Sequence, residues 1–228
     1  MIKIDQVQKI YQRGKDTIEA IRGIDLEIER GDFVVLLGPS GGGKTTLLNL
    51  IGGIDRPTKG SILFNDFRLD TASEEQLTKF RRDHIGIVFQ FYNLISSLNA
   101  VENVALPLLA KGIPAKQARG NAVRILDQLG LHNRLGHLPG ELSGGEQQRV
   151  AIARSMIAEP ELVIADEPTG DLDSQTAREI IDLMHALNRQ KGTTFIVATH
   201  NNELVNGTNK IYELSDGSLS QRENVKPG

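Results

Sequence analysis

Eight consecutive residues, Gly38-Pro39-Ser40-Gly41-Gly42-Gly43-Lys44-Thr45, fit the spacing Gly-x-x-x-x-Gly-Lys-Ser/Thr, and they follow directly on the wholly apolar run Phe33-Val34-Val35-Leu36-Leu37. Such a run is the pattern of a strand buried on both faces of a parallel sheet. Lys44 to Ile51 reads as a helix, so strand, glycine loop and helix stand in the order that a polyphosphate cradle needs. Without Cβ atoms the backbone wraps closely round phosphate and aims several N–H groups at it, with the positive end of the helix dipole behind them. Lys44 would neutralise the β and γ phosphates, and Thr45 offers a hydroxyl to a Mg²⁺ ion bridging them. A glycine-rich turn without a ligand is the ordinary alternative for a looser pattern. Here spacing and context agree on nucleotide binding, without saying which nucleotide or reaction.

Apolar runs of the same kind recur at Ile85-Gly86-Ile87-Val88-Phe89, Leu162-Val163-Ile164-Ala165 and Phe195-Ile196-Val197-Ala198. Helical stretches at Gln147 to Ala158 and Gln175 to Gln190 alternate with them, which argues for an α/β sheet. Residues 2–11 and 18–29 read as strands, Asn99 to Leu135 as a helical insertion, and Gly207 to Gln221 as two strand pieces around Asp216-Gly217. Glu223 to Gly228 reads as a frayed polar end. At about 150 residues per domain, 228 residues suggest one large domain or one with an inserted subdomain. A balance of 39% hydrophobic and 24% charged residues suits a soluble globular protein. Lys+Arg 26 against Asp+Glu 29 leaves a net charge of −3, no global field for gripping nucleic acid, so nucleic acid is not expected as a partner. The lack of cysteine excludes disulfides, zinc–thiolate sites and thiol chemistry, and permits a reducing compartment. The N-terminal alternation is not that of a secretion signal, and no apolar run approaches the ~18 residues that span a bilayer, so any link to a membrane is expected to pass through a partner.

Leu162 to Ala165 runs straight into Asp166-Glu167, two carboxylates at the end of what should be a central strand, where ligand sites of such sheets lie. Neighbouring strand residues point to opposite sides, so Asp166 is expected to face a metal and Glu167 an attacking water. Upstream, Leu142-Ser143-Gly144-Gly145-Glu146-Gln147 has a modest explanation: Ser143 and Glu146 form a capping box at a helix start. That leaves two consecutive glycines unexplained unless something approaches the backbone closely, and a second phosphate-binding helix end would do so.

With these residues together, the chain resembles the ATP-binding subunits of ABC transporters over nearly its whole length. Gly38 to Thr45 resembles the family's Walker A, Leu162 to Asp166 its Walker B, Leu142 to Gln147 its signature, Gln90 its glutamine loop, Gly170 to Asp173 its D-loop and His200 its switch histidine. The stretches Leu50 to Pro57, Gly86 to Leu94 and Ala151 to Arg154 look most like the subgroup serving lipoprotein release, macrolide export and antimicrobial-peptide or haem export. The resemblance implies a P-loop (RecA-like) α/β nucleotide-binding core over 1–90 and 159–228, with an N-terminal antiparallel β subdomain and a helical subdomain over 91–158. ATP and Mg²⁺ are the implied cofactors. Nucleotide contacts are implied for Tyr11, Gly38, Ser40, Gly41, Gly42, Gly43, Lys44, Thr45, Thr46, Ser143, Gly144, Gly145 and Asp171. Thr45, Gln90 and Asp166 are implied at the metal, and Glu167, His200, Gln90 and Lys44 in catalysis. Two copies are implied to pack head to tail around ATP, each signature reaching the γ-phosphate held by the other chain, and a membrane permease to dock near Phe91 to Glu102. The chain would then work in the cytoplasm, peripheral to the membrane. Gly42 stands where the family often has Ser, and Asn201 follows His200 where Asp is common. Rival readings are a force-transmitting ABC ATPase without cargo, a DNA- or ribosome-acting relative, and a small-molecule kinase. The last leaves the signature unexplained.

Overall fold

Strands with alternating and with continuous apolar character segregate into two sheets. The computed structural model describes residues 1–14, 16–202, 208 and 210–222; the frayed end expected over Glu223 to Gly228 lies outside them. β1 (Ile2–Arg13), β2 (Asp16–Ile28), β4 (Lys59–Phe64) and β5 (Phe67–Arg68) form an antiparallel sheet in the order β2-β1-β4-β5. The second sheet runs β10-β9-β3-β8-β7-β6, built from β3 (Phe33–Leu37), β6 (Ile85–Val88), β7 (Leu162–Asp166), β8 (Thr194–Thr199), β9 (Lys210–Ser215) and β10 (Ser218–Arg222). All its neighbours are parallel except the terminal β9–β10 hairpin, which turns at Asp216-Gly217 as expected.

Of the continuous apolar strands, β3, β7 as far as Ala165 and β8 are buried on both faces, whereas β6, at the sheet edge, leaves Ile85 and Ile87 half-buried. One face, with Val34, Leu36, Ile164, Ile196 and Ala198, packs on α1 (Lys44–Ile51) and the antiparallel sheet; the other, with Val35, Val163, Ala165, Phe195 and Val197, packs on α5 (Gly144–Met156) and α6 (Ser174–Lys191). α3 (Ala100–Ala110) and α4 (Ala115–Gln128) lie in the stretch read as a helical insertion and join that second core through Val104, Leu108, Ala122 and Leu126. Capping boxes open α3 (Asn99, Glu102) and α5 (Ser143, Glu146), and Gly192 at φ 67° ends α6. α5 thus begins at Gly144, earlier than its periodicity indicates, because the cap accommodates both glycines in the first turn. Among the described residues no helix is long and apolar enough to cross a membrane.

Candidate nucleotide site

Three parallel strands end level with one another, and that register assembles the site. Leu37 pairs with Thr199 and Asp166 with Ala198, so Gly38, Glu167 and His200 leave the sheet side by side at its carboxyl edge. The glycine loop then turns into α1. A Cβ on Gly38 would lie 2.0 Å from the Leu214 carbonyl oxygen, and one on Gly42 2.8 Å from the same atom, so β9 presses against the loop and excludes side chains there. This gives a packing reason for Gly42.

Lys44 is 6% exposed, and its Nζ donates to the carbonyls of Gly38 (2.8 Å) and Pro39 (3.1 Å). It also lies 3.4 Å from Glu167 Oε1. Glu167 sits at φ 46°, an uncommon conformation for a non-glycine residue, and its other oxygen meets the backbone N–H of His200 at 3.3 Å and the ring Nδ1 at 3.0 Å. Lys44, Glu167 and His200 therefore form one continuous polar chain. Beside it, Thr45 Oγ1 donates to Asp166 Oδ2 at 2.6 Å. Burial raises the Asp166 pKa, the Thr45 hydrogen bond opposes that, and the Glu167 charge adds to the rise. A hydroxyl and a carboxylate, both hard oxygen donors, on a group whose charge is penalised by burial fit a divalent cation that keeps its remaining positions for phosphate and water.

The remaining expected residues are placed as follows. Gln90 is not hydrogen-bonded to Thr45 or Asp166 among the described residues; its amide lies over Gly170, where a Cβ would come 3.1 Å from Nε2. Ser40 and Gly41 are exposed on the loop. Tyr11, 37% exposed, donates from its hydroxyl to Asp55 at 2.7 Å, with the Lys9 ammonium 4.8 Å from its ring centre. Burial and that hydrogen bond raise its pKa, while a hydrogen bond with Thr46, in the first turn of α1, opposes the rise. Asp171 is exposed, whereas Asp173 caps α6 by accepting from the backbone N–H groups of Gln175 and Thr176.

Ser143 is occupied in its capping box, whose Glu146 is held by Arg134 at 2.6 Å. Gly144 and Gly145 have packing partners of their own: Cβ atoms there would lie 2.9 Å from Tyr92 Oη and 2.6 Å from Thr176 Cγ2. So close approach within the chain already accounts for both glycines, a cause the sequence reading did not find. Among the described residues no hydrogen bond or ion pair joins 142–147 to the loop 38–45.

Sequence reading also passed over three side chains that hold the site together. Gln148, fully buried on α5, donates from Nε2 to the Pro168 carbonyl at 2.6 Å, next to Glu167. Asn103, fully buried on α3, bonds the backbone of Ile95, Leu98 and Asn99. Arg154, also on α5, bonds the backbone after Gln90. A polar side chain on an otherwise apolar helix face was the available signal.

Comparison with known proteins decides the family: its ABC transporter model matches residues 21–170. The chain belongs to the ABC transporter family, as an ATP-binding ATPase. This ABC ATPase is 45% identical over 219 residues, 96% of its length and 98% of the relative's, to the lipoprotein-releasing system ATP-binding protein LolD of Syntrophus aciditrophicus. It is 44% identical, over 96% of its length and 95% of the relative's, to the uncharacterized ABC transporter ATP-binding protein YknY of Bacillus subtilis. Its fold superposes with a TM-score of 0.89, at 39% identity and over 98% and 100% of the two chains, on the ATP-binding cassette MJ0796 of Methanocaldococcus jannaschii, solved as a dimer in a post-hydrolysis state bound to ADP and Pi.

Proposed function

We propose that two copies of this ABC ATPase close head to tail on two ATP molecules and that hydrolysis reopens them, driving a membrane permease that extrudes lipoprotein or peptide. The observation that carries the reading is the position of Glu167 between Lys44 and His200, beside the Thr45–Asp166 pair. Backbone amides of Gly41 to Thr45, with Ser40 and Thr46, receive the phosphates, and Tyr11 stacks on the base. Lys44 exchanges its bonds to Gly38 and Pro39 for bonds to the β and γ phosphates. Thr45, Asp166 and Gln90 would hold Mg²⁺, which supplies charge neutralisation along the triphosphate. Glu167 takes a proton from water as the water oxygen attacks the γ-phosphorus. The bond to the bridging oxygen breaks, and ADP leaves with the electron pair. His200 holds Glu167 in position and contacts the γ-phosphate. Ser143, Gly144, Gly145 and Asp171 of the second copy complete the site from the opposite side; the lack of any bond between 142–147 and 38–45 within one chain and the dimeric MJ0796 cassette support this.

The permease is proposed to seat near Phe91 to Glu102. Phe91 is 71% and Ile95 45% exposed, whereas Tyr92 packs on Gly144 and Leu94 on the core, so two of the four apolar residues of 91–95 face outward. Asn93, between them in sequence, lines a groove of about 370 Å³ with Arg81, Arg82, Ile87, Phe89, Pro107 and Arg154. The likeness to LolD, named for lipoprotein release, supports an exporting permease. Glu167→Gln tests the core of the reading. Turnover is expected to fall by about 10²–10⁴ while Mg²⁺-ATP drives the chain into dimers seen by light scattering. Monomers at saturating Mg²⁺-ATP, or undiminished turnover, would sink it.

A further inference from the structure

Arg154 joins two parts of the molecule that the chain order keeps apart. It stands near the C-terminal end of α5, the helix whose first residues are Gly144 and Gly145. Its Nη1 donates to the Asn93 carbonyl at 2.6 Å and its Nη2 to the Tyr92 carbonyl at 2.7 Å. Both bonds are short, as expected of a cationic donor, and the planar fork fixes their spacing and direction. The acceptors lie in unusual backbone: Tyr92 has φ 59° and Asn93 φ 46°, the left-handed region that side chains disfavour. Burial lowers the Arg154 pKa, and among the described residues no carboxylate pairs with it. Two of the guanidinium's five N–H donors are thereby met by backbone carbonyls.

Tyr92 makes a second contact with the same helix. Its hydroxyl oxygen is the atom a Cβ on Gly144 would meet at 2.9 Å. Gly144 and Arg154 are separated by roughly 15 Å of helix, and side chains on a helix lean towards its N-terminus, so the guanidinium and the tyrosine ring together span that length. Residues 91–93 therefore lie along α5, fastened by Arg154 and seated at Gly144. The far end of the loop is pinned independently, by Asn103 on α3. Gln90 is two residues from the fastened carbonyl, which leaves little slack.

We propose that Arg154 is a positioning residue that makes the Gln90 segment and the signature-bearing helix α5 move as one body. A permease pressing on Phe91, or a nucleotide gripped at Ser143, is thereby felt at Gln90. This rests on the roles given to Gln90 and Ser143 above, and the experiment separates the two.

The full chain is compared with Arg154→Met and Arg154→Lys by amide hydrogen exchange and steady-state ATPase kinetics. In Arg154→Met the amides of 91–95 exchange about tenfold faster while β3 and α1 are unchanged, kcat falls about tenfold and KM for ATP changes less than about twofold. Arg154→Lys, with one ammonium for two carbonyls, recovers part of kcat. Gln90→Ala is then combined with Arg154→Met. If Arg154 acts through Gln90, the double variant is within about twofold of the slower single one. Unchanged exchange over 91–95, exchange that quickens uniformly through the whole chain, or a double variant whose loss is the product of the single losses overturns the proposal. A silent Gln90→Ala with locally faster exchange in Arg154→Met instead removes the role given to Gln90 and leaves the clamp standing.

Discussion

Leu214 decides which glycines of the phosphate loop are replaceable. Its carbonyl oxygen would lie 2.0 Å from a Cβ on Gly38, and because that atom belongs to backbone of β9, neither partner has an easy way to yield. Gly41, at φ 80°, faces open space, so a side chain there pays only for the left-handed conformation. Gly38→Ala is expected to cost about 3 kcal/mol and Gly41→Ala about 1–2 kcal/mol, read as the difference in urea unfolding midpoints. Equal midpoints would show that the loop relaxes away from β9. The loop itself was legible at this scale, since eight adjacent residues carry the whole pattern. Its cause was not: the clashing carbonyl arrives from the hairpin near the other end of the chain, and no local spacing announces it. The same holds for Tyr11, recognisable as an aromatic but not as one tethered by Asp55, and for Gly144 and Gly145, whose neighbours Tyr92 and Thr176 are brought in by the fold.

Elements could be read where apolar residues recur often enough, continuously or in alternation as in β1 and β2, and were missed where they are few. Strands β3, β7 and β8 carry continuous apolar runs because helices or a second sheet cover both faces, and β6 carries a shorter one with one face half-buried, so each stands out. Strand β4 buries only Ile62 and Phe64, and α2 (Glu74–His84) only Leu77 and Phe80 among charged neighbours, so each keeps its period on two residues, too few to stand out. Leu77 and Phe80, the latter against the rings of Phe64 and Phe67, fasten α2 to the antiparallel sheet, and a polar cluster fastens its end to the parallel one. Glu161, just before β7, pairs with Arg30 after β2 and with His84 Nδ1 at 2.8 Å at the end of α2, and its own N–H bonds the His84 carbonyl at 3.1 Å. Burial raises the Glu161 pKa, but the bonds from Arg30 and His84 outweigh it and the net value is lowered. The unfolded chain therefore takes up this proton first as pH falls. The carboxylate's contribution is fully present above about 4.3, the value of an unperturbed Glu, and is lost as pH drops through the lowered native value. Between pH 5 and pH 3 the protein is expected to lose about 1 kcal/mol more stability than Glu161→Gln. Urea unfolding of both at the two pH values measures it, and parallel losses would remove Glu161 from the role.

At the scale of the whole molecule the geometry has a consequence that no single chain can express. The loop 38–45 is pressed by β9 at one edge of the parallel sheet, while Ser143 stands at the start of a helix packed against Tyr92 and Thr176, and no bond joins them among the described residues. If each working site takes its loop from one copy and its signature from the other, two different defects placed in different chains must segregate. A Lys44→Ala chain lacks a competent loop and keeps its signature; a Ser143→Arg chain has the reverse. Each variant alone forms dimers in which both sites are damaged. In a mixed dimer both lesions fall in one site, and the other pairs an intact loop with an intact signature. Random assortment makes half of the dimers mixed, so an equal mixture of two inactive preparations is expected to recover up to about a quarter of wild-type turnover, rising with protein concentration as mixed dimers form. Phosphate release from the mixture, set against each variant alone, measures it. A mixture no more active than its parts would mean that loop and signature serve the same chain, against the separation in the fold.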